Sequence, residues 1–225
     1  MSSYEIEIKS LLGDKMKADK LIADMQSLDP NTKLVGENTQ LNHYFEGGDV
    51  HELYEKAKEL FNVKQQKKLK SVIEEGSNFS IRTREINSEV RLVLKASIGD
   101  DTSANGVSRI EFDEAVPEIM LDDLDRMLLD AGFSYQAKWS RERQEYACKD
   151  VNVCIDRNAG YGYLAEFEKV VDDKDSSDVI EREIRELMSA LACDELPQDR
   201  LERMFAHYNE NWPDYYGTDN TFVIE

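Results

Sequence analysis

Apolar and charged residues alternate from Tyr4 to about Leu12, with Tyr4, Ile6 and Ile8 interleaved between Glu5, Glu7 and Lys9. A strand sends successive side chains to opposite faces, so this run has one apolar and one charged face. Gly13-Asp14 closes it, and Asp14 can cap a helix over 15–28 in which Met16, Leu21, Ile22, Met25 and Leu28 recur at helical spacing. Asp29-Pro30-Asn31 stops that helix. Residues 39–47 read as a second strand, and 51–74 as a helix with a break near Asn62. After Gly76 the period of two returns: 78–86 and 89–97 form a hairpin around Asn87-Ser88, 98–108 is a polar loop, and 108–116 is a further strand. Residues 118–133 are an amphipathic helix, with Pro117 at its start and Gly132 at its end. Three strands at 138–148, 151–156 and 162–170 then make a meander. From about 174 the pattern is two helices separated near Leu196-Pro197, and a polar tail.

This gives about eight strands and five or six helices, an α+β chain in which tight turns between sequential strands imply antiparallel pairing. Nothing resembles a repeat or a linker, so residues 1–225 read as a single domain with a C-terminal helical segment and tail from about 174.

The strands share an unusual feature. Arg82 and Arg84 oppose Phe79, Ile81 and Thr83; Arg91, Val93 and Lys95 oppose Val90, Leu92 and Leu94; Arg109, Glu111 and Asp113 oppose Ile110 and Phe112. Further on, Arg141, Arg143 and Glu145 share a row, Asn152, Cys154 and Asp156 oppose three apolar residues, and Glu166 and Glu168 oppose Ala165 and Phe167. If helices cover the apolar faces, closing the eight strands into a barrel places the charged rows inside it. Such a lumen must pair its charges or bind a ligand. Arginines and lysines suit a polyanion such as a triphosphate, and Glu-x-Glu pairs suit a hard divalent cation bridging to the same oxygens. An open sheet with a solvated, salt-bridged face explains the alternation equally well.

Composition narrows the choice. With 28 basic against 47 acidic residues the net charge is -19, which argues against a nucleic-acid or anionic-membrane surface. No apolar run approaches the roughly 20 residues needed to cross a bilayer, and no basic segment leads into an apolar core at the N-terminus. Cys148, Cys154 and Cys193 are sparse and odd in number, which fits free thiols and a cytoplasmic location. His43, His51 and His207 are scattered, which speaks against a histidine metal site.

The order of these rows resembles that of the CYTH superfamily, the triphosphate tunnel metalloenzymes. "EIEIK" is similar to its N-terminal Glu-x-Glu-x-Lys signature, followed in the family's order by "SIRTRE", "RLVLKAS", "SRIEFDE", "KWSRERQEY", "CID" and "LAEFEK", over roughly residues 4–195. The resemblance implies a closed eight-stranded antiparallel barrel, a tunnel with a charged lumen and helices packed outside. It implies Mg2+ or Mn2+ as cofactor and a triphosphate-containing small molecule as partner, in a monomer or homodimer. Glu5, Glu7, Glu166, Glu168 and Asp156 are its implied metal ligands. Lys9, Arg82, Arg84, Lys95, Arg109, Arg141 and Arg143 are its implied substrate-binding residues. Glu166, Glu168, Asp156 and Lys9 are its implied catalytic set.

Superfamily members of this kind are triphosphatases or class IV adenylate cyclases, and the two complete Glu-x-Glu and Arg-x-Arg pairs favour a triphosphatase. The alternatives are the cyclase, or a polyphosphate- or nucleotide-binding module without turnover. At the C-terminal end, Arg200 and Arg203 are candidates for a further basic contribution.

Overall fold

In the computed structural model the described residues are 4–97, 109–171 and 177–225, without the side chains of Tyr4, Glu5, Arg109, Val171 and Ser177. The expected loop at 98–108 lies outside them. Among the described residues there are eight strands and six α-helices: β1 (Tyr4–Gly13), α1 (Lys15–Leu28), β2 (Lys33–Gly47), α2 (Val50–Ala57), α3 (Val63–Glu75), β3 (Ser77–Ile86), β4 (Glu89–Ser97), β5 (Arg109–Ala115), α4 (Leu121–Asp130), β6 (Phe133–Cys148), β7 (Val151–Asn158), β8 (Gly162–Val171), α5 (Ser177–Ala190) and α6 (Gln198–Asn211). The strands form one sheet in the order β1-β8-β7-β6-β2-β3-β4-β5. The α+β expectation of eight antiparallel strands flanked by helices therefore holds. The chain packs as two compact units, residues 1–39 with 140–225, and residues 40–139. The boundaries fall inside β2 and β6.

In the first unit, Ile8 and Leu12 of β1, Val153 and Ile155 of β7 and Ala165 and Phe167 of β8 pack with α1 and α5 in one apolar cluster. Asp14 caps α1 as its sequence position suggests, accepting a 2.9 Å bond from Lys17 N. Met16 departs from expectation: it is exposed, and Ala18, Leu21 and Met25 carry the buried stripe. Past α6, Phe222 packs edge-on against Tyr161, and its N–H donates to Gly160 O at 2.9 Å. A Cβ at Gly160 would lie 2.8 Å from the Phe222 ring and 2.9 Å from the fully buried Tyr208, so this docking needs glycine. Arg200 and Arg203 bond to the backbone carbonyls of Ile224 and Glu225.

In the second unit, α2, α3 and α4 cover the apolar face of β3, β4 and β5 through residues such as Leu53, Leu69, Leu124, Leu92, Leu94 and Phe112. The break expected near Asn62 is a helix start: Asn62 and Gln65 form a reciprocal capping box for α3. The α4 helix begins at Leu121, not directly after Pro117, and ends before Gly132, whose φ of +84° needs glycine. β6 consequently starts at Phe133, five residues earlier than the alternation of its charged part suggested.

One carboxylate interrupts this apolar layer. Asp125 of α4 is only 1% exposed. It accepts from Thr83 Oγ1 at 2.6 Å and from Tyr135 OH at 2.7 Å, and His43 Nδ1 lies 2.6 Å away. Burial pushes its carboxyl up, but the hydrogen bonds from His43 and Thr83 outweigh burial and hold it below the ordinary carboxylate range. The unfolded chain thus takes up this proton more readily than the native one. The stability from Asp125 is complete above the ordinary range, near pH 3.9, and is lost as pH falls through the lower native value. Thermal melts across pH should show the wild type above Asp125→Asn at neutrality, with the gap narrowing on acidification. A gap independent of pH would show that the charge contributes nothing.

Candidate functional site

The first unit gathers a charged face across four strands. Antiparallel register sets Glu7 of β1 opposite Glu168 of β8, and Lys9 opposite Glu166. On the other side of β8, Glu168 faces Asn152 and Glu166 faces Cys154 of β7. The β6–β7 register then places Arg143 opposite Asp156 and Glu145 opposite Cys154. Like charges directly across a ladder destabilise a sheet, and here two carboxylates oppose each other with a third beside them. One oxygen from each of Glu7, Glu166 and Glu168 can be chosen so that all three lie within 4.8 Å of one another.

Cations surround this cluster. Lys9 Nζ is paired with Glu7 and lies 3.4 Å from Glu166 Oε1. Arg143 grips Asp156 with two parallel bonds, Nε to Oδ1 and Nη2 to Oδ2, both 2.7 Å, and Nη2 also pairs with Glu166. Arg141 Nη1 adds a 3.3 Å contact to Asp156 Oδ2. Burial raises the Glu166 pKa, but Lys9, then Arg143 and Arg141, more than reverse this and hold it below the usual range. The Arg143 guanidinium loses by desolvation and gains more from Asp156 and Glu166, so it is held firmly charged. Glu168 Oε1 accepts from Asn152 Nδ2 at 2.5 Å. The neighbouring Cys154 thiol is pushed up to about 12, first by burial, with Arg143 opposing and Glu168 adding to the shift. It is therefore a protonated thiol and not a thiolate donor.

The donor set fits a hard divalent cation. Three carboxylates converge, at least one of them deprotonated by its surroundings, and among the described residues no thiolate or histidine joins the cluster to favour a softer metal. Glu7, Glu166 and Glu168 are the residues that would hold it. The Glu5 side chain, also expected as a ligand, lies outside the described residues. Asp156 is not part of the carboxylate cluster. It is 1% exposed and taken by the two arginines.

The second unit presents its own basic row. Arg82 Nη1 donates to Tyr44 OH at 2.6 Å, with the guanidinium 5.4 Å from the Tyr44 ring centroid. Arg84 Nε donates to Asn42 Oδ1 at 2.8 Å and Nη1 lies 3.7 Å from Asp113 Oδ2. Arg91 Nε bonds to Asp113 Oδ1 at 2.6 Å, and Lys95 Nζ lies 3.3 Å from Glu111. Arg82 Nε is buried without a hydrogen-bond partner among the described residues, which is costly unless a ligand supplies an acceptor. The Arg109 side chain lies outside the described residues.

Expected site residues thus fall into two groups: Glu7, Lys9, Arg141, Arg143, Asp156, Glu166 and Glu168 in the first unit, and Arg82, Arg84 and Lys95 in the second. The sequence reading missed Asn152, Asn42, Tyr44 and Asp125. For Asp125 a signal existed, a carboxylate four residues after Leu121 and three before Leu128, on the buried stripe of α4. For the others register was needed. Among the described residues no helix is long and apolar enough to cross a membrane.

Solved structures share this fold. A Vibrio parahaemolyticus protein described as a candidate adenylate cyclase superimposes with a TM-score of 0.54 at 13% identity, over 92% of this chain and 99% of its own. A Pyrococcus horikoshii protein gives 0.53 at 16% identity over 91% and 99% of the two chains. A conserved hypothetical protein of Pyrococcus furiosus gives 0.52 at 16% over 87% and 93%. At these identities the likeness shows the fold alone. No curated protein matches the sequence. The profile of the CYTH domain matches residues 74–200, more than half of the 225, a span that takes in Arg82, Arg84, Arg143, Asp156, Glu166 and Glu168. This chain belongs to the CYTH domain family.

Proposed function

We propose that the protein is a divalent-metal-dependent triphosphatase that removes the terminal phosphate of a triphosphate compound. The convergence of Glu7, Glu166 and Glu168 beside Lys9 and Arg143 carries this reading. A carboxylate cluster flanked by fixed cations is the arrangement needed where a cation and phosphate oxygens meet. Mg2+ or Mn2+, when bound, supplies Lewis-acid neutralisation of charge on the phosphate oxygens.

The chain's own groups do the rest. Lys9, Arg141 and Arg143 bind and orient phosphate oxygens; the row of Arg82, Arg84 and Lys95, taken within the second unit alone, has the chemistry to do the same. Asp156 fixes the planes of Arg141 and Arg143 before substrate arrives. Water attacks the terminal phosphorus, the bond from that phosphorus to its bridging oxygen breaks, and the water proton passes to Glu168. We assign Glu168 Oε2 to accept it, because Oε1 is turned to the Asn152 amide. With inorganic tripolyphosphate the products are pyrophosphate and phosphate.

The decisive assay offers tripolyphosphate and ATP separately, each with Mg2+ and with Mn2+, and follows phosphate and cyclic AMP. Metal-dependent phosphate release from tripolyphosphate is the expected result, since this substrate has no ribose and cannot cyclise. Cyclic AMP from ATP with tripolyphosphate untouched would replace the triphosphatase with a cyclase, as the description of the Vibrio relative suggests for that protein. Binding of both without turnover would leave a binding module.

A further inference from the structure

Behind the basic row of the second unit, Asp125 has no part in the chemistry just described, yet it touches β3, which carries Arg82 and Arg84, and β2, whose Tyr44 and Asn42 accept from them. Its two oxygens are divided between them: Oδ1 accepts from Thr83 of β3 at 2.6 Å, and Oδ2 lies 2.6 Å from His43 Nδ1 of β2. His43 and Thr83 are register partners. Alternation sends their chain neighbours to the opposite face, where the next two register pairs are Tyr44 with Arg82 and Asn42 with Arg84. Those two pairs are also joined side chain to side chain, at 2.6 and 2.8 Å.

A buried carboxylate is a poor choice for stability alone. Its neighbours on α4, Leu121, Leu124 and Leu128, show that the position faces a core where an apolar residue of similar size would pack. What an apolar residue cannot do is tie β2 to β3 at one register. A slip of one residue would turn both basic pairs to the wrong face.

We propose that Asp125 is a positioning residue, whose carboxylate clamps His43 and Thr83 so that Arg82 and Arg84 meet phosphate oxygens in one fixed geometry. The proposal rests on the reading of that row as phosphate-binding. The clamp acts through the backbone: Thr83 lies between Arg82 and Arg84 in β3, and His43 between Asn42 and Tyr44 in β2. Tyr135 OH, at 2.7 Å, and Lys138 Nζ, at 3.8 Å from Oδ2, complete the shell of the carboxylate.

The test uses the full chain in metal-free buffer and reads two quantities: tripolyphosphate affinity by calorimetry, and the Arg82 and Arg84 Nε–H signals by NMR, assigned with Arg→Lys variants. Asp125→Asn and Thr83→Val should each weaken tripolyphosphate about tenfold, the lower end of what supporting partners contribute at comparable sites, and should move both arginine signals. Thr83→Ser, which keeps the hydroxyl, should restore the wild-type affinity and spectrum. A merely structural Asp125 would lower the melting temperature and leave affinity and signals in place, which overturns the proposal. Thr83→Val gives the same decision if Asp125→Asn does not fold. The two readings fail differently. If Arg84→Ala binds tripolyphosphate as the wild type does, the phosphate assignment falls and takes this role with it. If Arg84→Ala loses affinity while Asp125→Asn and Thr83→Val do not, only the clamp falls.

Discussion

Glu168→Gln should abolish phosphate release and at the same time raise the melting temperature of the metal-free protein. The two effects have one cause. Glu168 stands directly across the ladder from Glu7 and within the cluster that includes Glu166. Without a cation the three carboxylates repel one another, so removing one charge relieves the sheet, by an amount on the scale of cross-strand pairs, about 0.2–1 kcal/mol. Glutamine keeps the shape and can still accept from the Asn152 amide. In turnover the same change removes a cation ligand and the proton acceptor together. A loss of about a thousandfold is the scale on which one preorganised electrostatic group acts. Phosphate release from tripolyphosphate with Mg2+, and melting in the presence of a chelator, measure the two halves. Retained activity would remove Glu168 from the site, and a lowered melting temperature would show that its charge is structural.

Arg143→Ala should be the most destabilising single change in the charged face, and inactive as well. Arg143 holds Asp156 by two bonds and also contacts Glu166, and both carboxylates are buried, at 1% and 9% exposure. Removing one partner of a buried pair leaves the other charge without compensation, at a cost of about 3–5 kcal/mol. For a chain of this size that is a fall in melting temperature of roughly 10 °C. Adding Asp156→Asn to Arg143→Ala should recover much of the stability and none of the activity. Melting curves and phosphate release on the two variants check this. If Arg143→Ala melts with the wild type, the ion pair is not what holds β6 and β7 in place. If the double variant regains turnover, neither residue is needed to orient phosphate.

Which parts of this were legible in the sequence follows from what each part depends on. The charged rows were legible because a strand alternates whatever it pairs with; the odd positions of "EIEIK" and the arginines of "SIRTRE" needed no partner to be recognised. Pairing was not legible. That Asp156 opposes Arg143, and so serves arginines while Glu7, Glu166 and Glu168 converge, depends on the β6–β7 and β1–β8 registers. The start of β2 was missed for a related reason. Residues 33–38 do not alternate, and their extended run is accompanied by bonds to β6 side chains, Asn38 Nδ2 to Glu145 at 3.3 Å and Gln144 Nε2 to Glu37 at 2.8 Å. Met16 was misassigned because it stands two residues before Ala18 and five before Leu21, which turns it away from the face on which Ala18, Leu21 and Met25 are buried.

The grip of Asp156 on Arg143 also bears on how a polyanion should bind. A free arginine side chain carries about 2 kcal/mol of rotational freedom, which a ligand must ordinarily quench. Here folding has already quenched it, because both nitrogens facing Asp156 are fixed at 2.7 Å in a fork geometry. Association of tripolyphosphate with this part of the face should therefore be led by enthalpy and show little loss of side-chain disorder. Loosening the fork with Asp156→Asn should appear first as a more unfavourable binding entropy.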